Sequence, residues 1–321
     1  MNKKLTFKTF KTILLNTFNG FSEDKVTKLS GSLSYSTLFS LAPLLIVIIA
    51  ICGLFFQKEA IEGKIYSQLA GFVGSDTAMQ LQEIIKSASL NGRSSLAIVI
   101  GVITLLIGST AVFNEIQDSI NTIWGLKAKP KKGWLKMLEN RLLSFSVIIS
   151  LGFLLLVSLA VSSIIDGFSD RLVSYFPNAS IVLFYVINSF ITLFITTLIF
   201  CVIFKVLPDA KIQWKDVFIG AIITALLFML GKFGISYYIS KIKVGSTYGA
   251  AGSLVILLLW VYYSSIILYF GAELTKAYAI EVGSPILPNT YAVTVKVTEE
   301  EYVDKTIQAT EKMPDNKVVA K

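Results

Sequence analysis

The chain has 321 residues, of which 54% are hydrophobic and only 16% charged, with 29 Lys and Arg against 21 Asp and Glu. Soluble domains carry closer to a quarter charged residues, so this deficit, gathered into long apolar blocks, excludes an ordinary soluble fold. There is no His, and Cys52 and Cys201 are isolated in apolar blocks, which leaves no recognisable imidazole base, metal site or disulfide framework.

Residues 1–32 read as a cytoplasmic amphipathic arm. Phe7, Phe10, Leu14, Phe18 and Phe21 roughly share one helical face, with Lys4, Lys8 and Lys11 mostly elsewhere. That pattern suits a helix lying on an anionic leaflet, the alternative being a loose basic arm. Lys8, Lys11 and Asn16 interrupt the apolar residues, which argues against a signal peptide.

Residues 33–279 read as an all-α, polytopic membrane domain. Six transmembrane helices are predicted, at 33–56, 95–113, 142–165, 181–206, 217–239 and 253–275, each near the roughly 20 residues that a bilayer requires. Twenty-one of the 29 basic residues fall in the N-terminal arm, the loops at 114–141 and 205–216, and the stretch after the last span. Positive-inside bias therefore places the N- and C-termini in the cytoplasm.

Between the first two spans, Ile61, Ile65, Leu69 and Phe72, then Leu81, Ile84, Ile85 and Ala88, recur at helical spacing. They predict two amphipathic helices in the first external loop, either packed on the bundle or acting as a gate. Residues 280–321 are polar and charge-mixed and predict a mobile cytoplasmic tail. A short strand at TYAVTVKV has no evident partner.

A few residues inside the spans carry chemistry. Ser32, Ser36 and Ser40 recur at four-residue spacing and precede Pro43, which bends a helix either as fixed structure or as a hinge. Gly220 and Thr224 in the fifth span mark a packing seam. Lys232 either snorkels outward or faces the bundle. If it faces inward, Trp260, Asn188, Thr104 and Ser158 at similar depth complete a polar shelf suited to an anionic head group. Glu273 shares a helical face with Tyr262, Ile266, Tyr269 and Lys276, and its expected partners are hydroxyls of the first span such as Tyr35 or Ser36. It reads as a structural lock or as a proton or cation site. Asn114, Glu115, Asp118 and Asn121 belong to the same layer. No cofactor and no metal are expected.

Four segments, LSYSTLFSLAPLL, FNEIQDSINTIWG, LPDAKIQWKDVFIGA and YGAAGSLVILLLWVYYSSIILYFGAEL, together resemble the YihY/BrkB family of bacterial inner-membrane proteins over roughly residues 20 to 280. The resemblance implies a six-helix membrane fold in the bacterial inner membrane. Positions matching the family's marked residues are Tyr35, Ser40, Pro43, Asn121, Trp124, Pro208, Trp214, Gly220, Tyr248, Gly249, Gly252, Trp260, Gly271, Ala272 and Glu273. Members have also carried a ribonuclease label. The lack of His and of any clustered ligand motif argues against an enzyme, and no nucleic-acid partner is expected. The expected function is transport or lipid and envelope handling, with membrane lipids, anionic head groups among them, as partners. The alternative is a non-transporting scaffold that assembles with an envelope protein or with copies of itself.

Overall fold

The computed structural model describes residues 6–38, 111–129, 180–241 and 252–295. It is mostly helical. Helix α1 spans Phe7–Glu23, and Thr6 caps it by accepting the Thr9 N–H. Its end is closed by the Asp24 N–H, which returns to Gly20 O at 2.8 Å. Lys25 then takes a left-handed φ of 52° and turns the chain into α2, whose described part is 26–38. Helix α3 covers 111–123 and stops at Gly125, whose φ of 65° suits a residue without a Cβ. Strand β1, Leu126–Ala128, follows directly.

The remaining described helices are α4, Ser180–Val206, α5, Trp214–Lys241, and α6, Gly252–Glu281. They carry apolar stretches at Ser189–Val206, Trp214–Lys232 and Leu254–Glu281, each long and apolar enough to cross a membrane. These coincide with the fourth, fifth and sixth predicted spans. The third predicted span and the 57–93 segment lie outside the described residues, as do most of the first and second spans. On α4, Val186, Phe190 and Phe194 stay exposed at four-residue spacing, as expected of a face turned to acyl chains.

Helix α6 packs on α5, α5 on α4, and α1 on α6. The α5/α6 contact is an interlock. A Cβ built on Gly220 would stand 1.9 Å from Thr275 Oγ1, and one built on Gly271 would stand 2.1 Å from Thr224 Oγ1. Each threonine hydroxyl donates to the carbonyl four residues back in its own helix, Thr224 to Gly220 and Thr275 to Gly271, both at 2.7 Å. GAIIT on α5 and GAELT on α6 are thus the same device used twice, each threonine seated over the other helix's glycine with its polar atom satisfied. One turn of small residue lets the backbones approach closely without leaving a hydroxyl stranded.

The all-helical expectation needs one addition. Residues 282–295, read from sequence as part of a mobile tail, return to the domain as strands β3, Leu287–Pro288, and β4, Ala292–Thr294. β4 pairs antiparallel with β1, and β3 pairs antiparallel with β2, Ala210–Lys211. The Val295 N–H also reaches Gly125 O at 2.7 Å. Together with α1 and the end of α3, these strands form a layer over the Glu281 end of α6. Residues 296–321 lie outside the described residues.

Candidate functional site

The inner wall of this layer is the last half of α6, buried on nearly every side. Ala272 O accepts from Trp124 Nε1 at 3.1 Å, Thr275 meets α5, and Glu273 meets α1. Glu273 is only 1% exposed. The space for its carboxylate exists because position 20 is glycine: a Cβ there would stand 2.5 Å from Glu273 Oε2 and 2.8 Å from its Cδ. Gly20 is on that face because Ile13, Thr17 and Gly20 recur at helical spacing and are all buried.

Among the described residues, one cation serves this carboxylate. Lys276 Nζ lies 3.5 Å from Glu273 Oε2 and 3.2 Å from Asp24 Oδ2. Lys276 and Asp24 are each about a quarter exposed, so charge runs from a buried carboxylate out to water. Glu273 Oε1 has no hydrogen-bond partner among the described residues. Held as an anion with one long contact, a carboxyl this enclosed would be costly to maintain, and ionisable groups so buried are usually there for function.

A second polar group fixes the loop between α4 and α5. Asp209, 3% exposed, accepts from Asn121 Nδ2 at 2.9 Å and Gln117 Nε2 at 3.0 Å. Its own N–H donates to Asn121 Oδ1 at 2.9 Å, and its carbonyl accepts the Asn289 N–H at 2.9 Å. Asp209 therefore ties α3, the 207–213 loop and the strand segment together. Partial burial, with Glu115 and Asp209 nearby, pushes the Asp118 carboxyl above the ordinary carboxylate range. Asp216, at the start of α5, accepts the Ser284 N–H at 2.9 Å and is overlain by Gly283. Among the described residues no group of His, Cys, Asp and Glu is arranged to hold a metal ion.

The structure brings together some of the sequence candidates and separates others. Glu273 and Lys276 meet, and Asn121 is in the second polar group. The partner expected for Glu273 is displaced: Tyr35 is 65% exposed, and α1 through Gly20 covers the carboxylate instead. Ser36 is half-buried on α2. Trp260 packs with Ile235, Leu257 and Leu38 in an apolar cluster, and Lys232 is half-buried on α5. Ser40, Pro43, Thr104, Ser158 and the Asn188 side chain lie outside the described residues. Asp24, Asp209 and Gly20 were not singled out from sequence. The one available signal was Gly20 continuing the Ile13/Thr17 stripe.

The profile of the family described as Virulence factor BrkB matches residues 17–290. The chain belongs to this family. BrkB relatives include UPF0761 membrane proteins of Mannheimia succiniciproducens, 28% identical over 79% of this chain and 85% of the relative, and of Haemophilus influenzae, 27% identical over 83% and 94%. A UPF0761 membrane protein of Ralstonia nicotianae is 26% identical over 80% of this chain, which spans only 56% of that relative's length. No solved structure matches the chain. The match extends over α1 from Thr17, α6 and β3, so the Glu273 site and most of its covering layer lie inside the family region.

Proposed function

We propose that this BrkB-family membrane protein is a transporter-like or lipid-handling protein of the bacterial inner membrane, with both termini cytoplasmic, and that Glu273 is its polar contact for substrate. The observation that carries this reading is the placement of Glu273: a carboxylate fully covered by a helix that contributes only a glycine over it. Glu273 and Asp24 share the single Lys276 ammonium. The two carboxyls are balanced either by a proton held between them or by a second cation, so a cationic or proton-donating head group could take that place. The interlocked α5/α6 pair moves as one body, and access to Glu273 opens where α1 lies on α6. The chain has no His, and the reading assigns it no bond-making chemistry.

The test is reconstitution into vesicles with a panel of labelled lipids and small solutes, wild type beside Glu273→Gln. Movement of one member that falls at least about tenfold in the variant, equivalent to roughly 1.4 kcal/mol, supports the reading. Equal movement by both folded proteins refutes it. No movement by either, with a protein partner co-purifying, favours a scaffold.

A further inference from the structure

Helix α1 presents three faces, and among the described residues only one is occupied by protein. On a 3.6-residue pitch, Ile13, Thr17 and Gly20 form the buried face against α6. The next third of the circumference holds Phe10, Leu14, Phe7, Phe18 and Leu15. Of these, Phe7 is 86% exposed, and Phe10, Leu15 and Phe18 are also exposed. The last third holds Asn16, Asn19 and Glu23, all exposed. Lys8 and Lys11 lie on the apolar face or at its edge, and both are exposed, whereas the acidic Glu23 is on the opposite side.

The depth of α1 follows from α6. The apolar stretch Leu254–Glu281 has 28 residues and rises about 42 Å, against a hydrocarbon layer of about 30 Å. Standing upright, the helix projects about eight residues beyond that layer. The projecting end is the one carrying Glu273, Lys276 and Glu281. Helix α1 lies along this end: Gly20 touches Glu273, and Asn16 Nδ2 reaches Glu281 Oε1 at 3.5 Å. Its aromatic face continues onto the span itself, because Phe18 and Phe21 pack edge-on against Phe270, with centroids 5.4 and 6.1 Å away.

We infer that α1 is bound to the bilayer surface, with Phe7, Phe10, Leu15 and Phe18 inserted among acyl chains and Lys8 and Lys11 held by anionic phosphate head groups. Protein holds one side, lipid the second and water the third. An amphipathic helix with aromatics on one face and lysines at its edge binds anionic interfaces in this way, and each lysine adds attraction within a Debye length of the surface. The inference stands whether or not the chain moves a substrate.

The test uses the full chain with Cys52 and Cys201 replaced by alanine. Single cysteines at Phe10, Leu15, Asn19 and Glu23 carry nitroxide labels. The protein is reconstituted in phosphatidylcholine vesicles with and without phosphatidylglycerol, and collision with oxygen is compared with collision with a water-soluble nickel chelate. Labels at 10 and 15 are expected to be oxygen-accessible and nickel-shielded, and labels at 19 and 23 the reverse. The double variant Lys8→Glu/Lys11→Glu is expected to lower the ratio of lipid-immersed to water-exposed label at least about thirtyfold in phosphatidylglycerol vesicles, while its unfolding temperature in detergent stays unchanged. Nickel access at 10 and 15 equal to that at 19 would overturn the inference. So would shielding from both reagents, which would mean that a second copy or another protein covers the face.

Discussion

Thr275 Oγ1 occupies the place that a side chain on Gly220 would need, 1.9 Å from the built Cβ. The same exchange recurs one turn away between Thr224 and Gly271. Gly220→Ala therefore forces backbone or threonine to shift in a close-packed seam, at a cost of about 1–3 kcal/mol. Thr275→Ala removes the obstructing oxygen. We expect the double variant to be more stable than Gly220→Ala alone, measured by thermal unfolding in detergent; additive losses would mean the two positions are not in contact.

Gly20→Ala places a methyl 2.5 Å from Glu273 Oε2. Because the carboxylate is enclosed, α1 must lift or the charge must move, with an expected loss of about 1–3 kcal/mol. Combining it with Glu273→Ala should restore α1 packing. Protease sensitivity of the α1–α2 turn around Lys25 reports the outcome.

Asn121 exchanges two hydrogen bonds with Asp209, whereas Gln117 supplies one. Asn121→Ala is expected to cost about 2–4 kcal/mol and Gln117→Ala about 1 kcal/mol, since a buried acceptor left unpaired loses more than the bond itself. Chemical denaturation of the two variants checks the order, and equal losses would show that the two bonds through Asn121 hold Asp209 no better than the one through Gln117.

Asp118 has its carboxyl raised by partial burial and by Glu115 and Asp209. As pH rises, the unfolded chain releases this proton first. Between the ordinary value and the raised one, the native state holds more protons, so stability falls with increasing pH. Asp118→Asn removes that fall and should be the more stable form at neutral pH, by about half a kcal/mol because water screens the site. Unfolding temperatures of both proteins from about pH 3 to about pH 7 should diverge as pH rises.

The long elements were legible because length and apolarity suffice to specify a membrane helix. The fourth predicted span, 181–206, matches α4, Ser180–Val206. The sixth was cut at 275 because Glu273 and Lys276 signal the edge of hydrocarbon, yet the helix runs on to Glu281, where neighbours rather than lipid enclose it. Gly220 and Thr224 read as a seam from one helix, but their counterparts lie on another, and sequence carries no pairing rule between them. Strands of two or three residues have too few positions to show a period of two, so β1 to β4 depend on partners far along the chain. For Glu273, the sequence marks the residue and puts Lys276 on its helical face, but it points to first-span hydroxyls as partners rather than to that lysine. The cover over it, Gly20, is defined by the side chain it lacks and becomes visible only once α1 is laid on α6.

The pairing of β1 with β4 also orders events during biosynthesis. Leu126–Ala128 are made well before their hydrogen-bond partners, Ala292–Thr294, which follow α6. The layer over the Glu281 end cannot close until residues 292–294 have left the ribosome. Until then Asp209 has no Asn289 to hold its carbonyl, and a chain stalled or truncated before residue 287 would carry its helices in the bilayer with that platform unlatched.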